Sequence, residues 1–88
     1  MDLSGDTHET PYFASASLSG AVWKIKTNLD EVITSPDQVV VILEAMKTEI
    51  NVTAGEENVG LKVVGFAKGV KEGAIVQAGD KLVFFDEA

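Results

Sequence analysis

The chain has no cysteine at all, only two prolines, and one residue each of histidine, tryptophan and tyrosine among its 88 residues. Without cysteine there is no disulfide frame, no thiolate nucleophile and no sulfur ligand for a metal. The lone histidine, His8, sits in a polar N-terminal stretch. A histidine cluster for metal binding or for general acid–base chemistry is therefore excluded. No apolar run approaches the roughly 18 residues that a membrane-spanning helix needs. The N-terminus carries Asp2, Asp6 and Glu9 and has no basic segment, so it does not read as a secretory signal. Basic charge is also scarce: seven lysines and no arginine stand against fourteen acidic residues, for a net charge of −7. That balance argues against nucleic acid or an anionic membrane as partner, and fits either plain solubility or docking on a basic surface. A cytoplasmic, monomeric module is the expectation. At this length it forms one domain, with a total stability of about 4–13 kcal/mol.

What is present is an all-β pattern. Residues 1–12 read as a tail or linker remnant, and residues 13–88 as the folded domain. Short runs rich in Val, Ile and Phe alternate with Gly, Pro, Asn and Asp. The expected strands are Ala21–Lys26, Val39–Glu44, Glu49–Thr53, Leu61–Phe66 and Lys81–Phe85. One internal repeat is visible: Asp30–Ile42, DEVITSPDQVVVI, aligns with Gly73–Phe85, GAIVQAGDKLVFF, at an offset of 43. Val32 and Ile33 fall on Ile75 and Val76, and Asp37 on Asp80. Two copies of a strand–turn–strand unit imply a pseudo-symmetric sandwich or flattened barrel. Gly79 can take a positive φ in its turn, whereas Pro36 cannot, so the two turns should differ in type. Trp23 and Phe66 are expected in core or half-buried packing.

The stretch VVVILEAMKTEINV, Val39 to Val52, admits two conformations. Leu43, Met46 and Ile50 fit helical spacing, and propensity favours a helix over Leu43–Ile50. No capping residue stands at its start, however. As a hairpin turning at Met46–Lys47, it pairs Val41 with Val52, Leu43 with Ile50, Glu44 with Glu49 and Ala45 with Thr48. One face is then wholly apolar, and a shift of one residue breaks it. The hairpin has local costs. A two-residue turn favours positive φ, which strains Met and Lys by on the order of 1–3 kcal/mol each. Glu44 also opposes Glu49. Rules broken twice at one spot point to a site.

These residues resemble a known family. Glu44-Ala45-Met46-Lys47 is similar to the attachment motif of biotinyl domains, the biotin carboxyl carrier modules of biotin-dependent carboxylases. The likeness extends over roughly Phe13 to Asp86 and includes Gly20-Ala21-Val22 and Val76-Gln77-Ala78-Gly79-Asp80. It implies a flattened barrel of two antiparallel four-stranded sheets related by a pseudo-two-fold axis, and it favours the hairpin. It implies covalent biotin on Lys47, with Glu44, Ala45, Met46, Thr48 and Glu49 forming the attachment motif and turn. The implied partners are a biotin protein ligase and the biotin carboxylase and carboxyltransferase domains of a larger enzyme. The module itself would be non-catalytic, with no metal.

The sequence departs from the family at three places. Thr48 stands where many members have a second methionine. The loop Ala54–Gly60 is longer than usual and lacks a proline. Gly65-Phe66-Ala67-Lys68-Gly69 is also extended. In addition, Gly20 to Glu44 leaves no room for the thumb insertion of some bacterial carriers. The first strand and the motif are most similar to the carrier region of urea carboxylase or urea amidolyase, with acyl-CoA and pyruvate carboxylases as alternatives. A lipoyl carrier would have Asp where Met46 stands. An unmodified β-module is the remaining alternative.

Overall fold

The computed structural model describes residues 9–88. The expected tail lies outside the described residues for positions 1–8, His8 included. Seven strands follow in order: β1 Tyr12–Ser15, β2 Gly20–Ile25, β3 Val39–Ala45, β4 Thr48–Thr53, β5 Leu61–Phe66, β6 Ile75–Val76 and β7 Lys81–Glu87. A short 3-10 helix, Glu56–Asn58, lies between β4 and β5. All the strand pairs are antiparallel. One sheet has the order β1-β7-β5 and the other β4-β3-β2-β6. No helix among the described residues is long and apolar enough to cross a membrane.

The first sheet thus has three named strands, not the four expected. The fourth position is filled by residues 30–33, which bridge β5 at Val32↔Lys62 only. Their backbone nevertheless bonds as an edge strand would: Ile33 N donates to Leu61 O at 2.8 Å and Val63 N to Glu31 O at 2.9 Å. The segment is too short and too bent to form a regular ladder. Asp30, at its start, has a positive φ of 70°.

The two halves of the chain superpose in pattern. Val22 N donates to Ala74 O as Val63 N donates to Glu31 O, and the strand of each pair is broken by a bulge, at Trp23 in β2 and at Val64 in β5. Asp30 and Gly73 are equivalent, both with positive φ. The repeat offset is 41 between β2 and β5 and 43 at Asp30 and Gly73. Beyond the turns it becomes 42: Val41, Ile42 and Leu43 pair with β2 as Val83, Phe84 and Phe85 pair with β5. The alignment of Asp37 with Asp80 is accordingly corrected. Gln38 N closes a turn on Ser35 O, and Asp80 N closes its counterpart on Gln77 O. Asp80 is therefore the counterpart of Gln38, and the second copy is one residue shorter between edge strand and turn. The turns do differ, with Gly79 at φ 92° and neither Pro36 nor Asp37 positive.

The core lies between the sheets. Val22, Val41, Leu43 and Val52 from one sheet meet Ala14, Val63, Val83 and Phe85 from the other. Phe66 packs partly buried against this cluster. Trp23 does not join it. As the bulged residue of β2 it is turned out of the ladder and is 41% exposed, with the Lys24 ammonium 5.5 Å from its ring centroid. Phe84 faces outward yet is buried, its ring meeting Phe13 edge-on at 6.5 Å.

The long connection from β2 to β3 is anchored in the core by Ile33, and a carboxylate holds its remainder. Glu31 Oε1 accepts from the Thr27 hydroxyl and from Asn28 N, both at 3.0 Å, and Oε2 accepts from Gln38 Nε2 at 2.7 Å. Thr27 is itself buried. Glu31→Ala would strand these donors, at an expected cost of about 1–3 kcal/mol. Urea denaturation should show the midpoint falling at an unchanged slope. A loss under about 0.5 kcal/mol, the level of an ordinary surface change, would show that the network is dispensable.

Candidate functional site: a lysine on a strained hairpin

The segment from Val39 to Thr53 folds back and contains no helix. Val41 pairs with Val52, Leu43 with Ile50, Glu44 with Glu49 and Ala45 with Thr48, the register that the apolar pattern predicts. Val41 and Leu43 are fully buried, Val52 nearly so and Ile50 partly. Helix propensity yields here because a helix would leave no continuation for Ile50–Thr53. The hairpin, by contrast, buries both arms of the segment in the core at once.

Met46 and Lys47 form the two-residue turn, with φ of 50° and 66°. Two positive φ values are what a type I′ turn requires, since its twist matches that of the strands. Neither residue has the glycine or asparagine chemistry that relieves the conformation. The strain is held by the ladder below, where Ala45↔Thr48 and Glu44↔Glu49 continue the pairing without a break. Met46 is 97% exposed and Lys47 is exposed beside it.

The register also fixes what surrounds the tip. Ala21 is opposite Glu44 on one side and Ile75 on the other. Directly opposed residues share a face, so Ile75, Ala21, Glu44 and Glu49 form one row across the solvent face of the four-stranded sheet. The two glutamates stand directly across from each other with no cation paired to either. Among the described residues the ion pair present is Lys62–Asp30, at 3.7 Å and far from the tip. Lys47 likewise makes no ion pair among these residues, and its amine is open to an external reagent.

The expected motif residues Glu44, Ala45, Met46, Lys47, Thr48 and Glu49 are thus brought together at one projecting point. The acidic loop residues Glu56 and Glu57 are exposed on the short 3-10 helix. No group of three or more metal-ligating side chains occurs among the described residues. A surface cleft of about 440 Å³ opens beside residues 67–70, lined in part by Lys68, Val70, Ile75, Asp80, Lys81 and Phe84. It includes none of residues 44–49. Ile75 and Ala21 were not identifiable as neighbours of the motif from sequence. The repeat gives Ile75 a counterpart in Val32, but it carries no information about which strand lies beside β2.

Tyr12 and the end of β7 lie at the opposite end of the fold from the tip. Tyr12 pairs with Phe85 near the end of β7, whereas β1 and the residues after it deliver the chain to Gly20, at the level of Glu44. Lys47 therefore projects at the end remote from the Tyr12–Phe85 pair.

The sequence matches no protein-family model, and no curated protein matches it. One solved structure with which it shares its fold is the urea carboxylase of Kluyveromyces lactis, at a TM-score of 0.74 and 29% sequence identity. The similarity covers 91% of this chain and 7% of the length of that one. The chain is thus similar to one small segment of a large carboxylase.

Proposed function

We propose that this chain is a biotin carboxyl carrier module, modified on Lys47 and working within a multidomain, ATP-dependent carboxylase, with a urea carboxylase as the parent we favour. The observation that carries this is the placement of Lys47: exposed, on a rigid two-residue turn, within Glu44-Ala45-Met46-Lys47. The likeness to a segment of a urea carboxylase supports it independently of the motif. Acyl-CoA and pyruvate carboxylases remain the alternative parents, since a carrier does not itself bind the acceptor and so does not encode it.

The residues present fit biotin as a covalent group. Attachment requires a neutral amine that an enzyme can reach. The Lys47 nitrogen loses its proton to the ligase and attacks the acyl carbon of an acyl-adenylate. An amide bond forms, and the bond from the acyl carbon to the phosphate oxygen breaks with release of AMP. Glu44 and Glu49 are not placed to take that proton as catalysts. They mark the tip for recognition. Once attached, biotin supplies a ring nitrogen that takes up and gives up a carboxyl group. The module's own task is tethering: it keeps that group at high effective concentration for a biotin carboxylase site and a carboxyltransferase site in turn. It performs no catalysis itself.

Incubation with a biotin ligase, ATP and biotin is expected to add the mass of one biotin less one water. Peptide mapping should place it on Lys47, with Lys24, Lys26, Lys62, Lys68, Lys71 and Lys81 unmodified. Label elsewhere, or none, would end this assignment.

Met46 provides a test of specificity. Met46→Asp is expected to lower the ligase's kcat/KM at least several-fold and to move the module toward lipoate acceptance. Asp tolerates a positive φ better than Met does, so the hairpin should be no less stable, and a loss of rate reports recognition and not folding. An unchanged rate would show that the ligase ignores this side chain and reads the position of the lysine.

A further inference from the structure

Gly20 starts β2 between two strands. It pairs with Val76 of β6, and its neighbour Ala21 pairs with Glu44 of the hairpin. A Cβ built on Gly20 would lie 2.7 Å from the Glu44 carbonyl oxygen, 3.3 Å from the Glu44 carbonyl carbon and 3.4 Å from Ala45 Cβ. Gly60, Gly69, Gly73 and Gly79 differ in kind: each has a positive φ and open space where a Cβ would be. Those four serve the backbone conformation. Gly20 has no such φ, and what matters at its position is the missing side chain.

We propose that Gly20 is a positioning residue for Lys47, and that its bare Cα lets β2 press on the Glu44 carbonyl and so fixes where the hairpin tip stands. The proposal rests on Lys47 being the biotin acceptor. The obstacle to a Cβ is backbone, so no side chain can rotate out of the way. β2 has no freedom to retreat toward β6 either. Ala78 N donates to Ser19 Oγ at 3.3 Å and Gly79 N to Ala16 O at 2.8 Å, which ties the turn after β6 to the residues before Gly20. On the other side lie only β3 and the edge strand β4. The hairpin must therefore yield. Restoring ordinary contact moves the Glu44 carbonyl by about 0.7 Å, three residues before Lys47. A site that holds its groups to within about 0.5 Å registers such a displacement.

The test compares Gly20→Ala with Val63→Ala, a cavity in the core on the other sheet. Purified, folded domains are assayed for ligase kcat/KM, melting temperature and backbone amide shifts. Gly20→Ala is expected to lower kcat/KM by about tenfold, less than the hundredfold that a 1 Å misplacement can cost. It should also shift the amides of Glu44–Thr48. Val63→Ala, with an equal or larger fall in melting temperature, is expected to keep kcat/KM within about twofold of the parent, because stability lost in the core leaves reacting groups aligned while the domain stays folded. The proposal is overturned if Gly20→Ala stays within that twofold band, or if the two variants lose rate alike. Should the parent chain take up no biotin, the acceptor assignment fails on its own, and the amides decide: unperturbed Glu44–Thr48 signals in Gly20→Ala overturn the positional claim. If Gly20→Ala does not fold, Ser19→Ala serves instead. It frees the start of β2 on the β6 side and is expected to move the same amides, and unmoved amides overturn the proposal.

Discussion

Lys47→Arg is expected to take up no biotin while melting within about 2 °C of the parent domain, the range of an ordinary surface substitution. The two halves of this result have separate causes. Arginine keeps the positive charge and most of the length, so any role of Lys47 in balancing Glu44 and Glu49 survives. It also faces the same strain at φ 66°, since both side chains carry a Cβ and neither is favoured there. What arginine cannot supply is a neutral amine, because a guanidinium stays protonated throughout the accessible pH range. Streptavidin blotting and intact mass after ligase treatment measure the first half, and a thermal melt the second. If the variant were still labelled, the modified residue would have to be one of the other six lysines. If the variant unfolded, Lys47 would be a structural residue, and its placement at the tip would have no need of a ligase to explain it.

The hairpin was legible in the sequence as one of two conformations, and the resemblance of Glu44–Lys47 to an attachment motif favoured it. Val41, Leu43, Ile50 and Val52 can share a buried face in only one register, and that register forces the turn onto Met46 and Lys47. Pattern outweighed propensity because burial of several side chains exceeds the few tenths of a kcal/mol by which individual residues prefer a helix. The edge elements were harder. β6 has only two residues, and the Val32 segment makes a single bridge. Neither is long enough to show alternation, so each was visible only through its partner in the repeat. The repeat in turn misled by one residue beyond Ile33, because the second copy passes from Val76 straight into its turn at Gln77 where the first has Thr34 between Ile33 and Ser35, and the apolar run that follows is undisturbed. Trp23 was expected in core or half-buried packing from its apolar neighbours, and it is exposed. The bulge that turns it outward depends on pairing with β3, and pairing is a property of two strands. At the site, the motif was in the sequence, but the Ile75–Ala21–Glu44–Glu49 row was not, since it arises from strand order.

The second large effect is expected at Leu43. It is fully buried, opposite Ile50 on one side and Val22 on the other. Leu43→Ala should cost about 3–4 kcal/mol, the transfer of the side chain plus the cavity it leaves. Against a total of about 4–13 kcal/mol for a domain of this size, that is enough to leave a large unfolded fraction near physiological temperature if stability is at the low end. Ile42→Ala, one residue earlier on the solvent face of the same strand, removes a side chain of the same volume and should cost about 1 kcal/mol, since that side chain is only partly buried. The contrast between neighbours is what a strand dictates, because successive side chains point to opposite faces. Urea titrations of the two variants measure it directly. Equal costs would mean that the segment is not paired in the register described. A larger cost at Ile42 would mean that it has slipped by one residue, which would carry Lys47 out of the turn. The same comparison links stability to the proposed function. Leu43 lies four residues before Lys47, with Glu44 and Ala45 between it and the turn, so the core position that holds the domain together is also the root from which the acceptor lysine projects. Ligase labelling of Leu43→Ala should accordingly fall with the folded fraction, and recover when temperature or a stabilising osmolyte restores the fold.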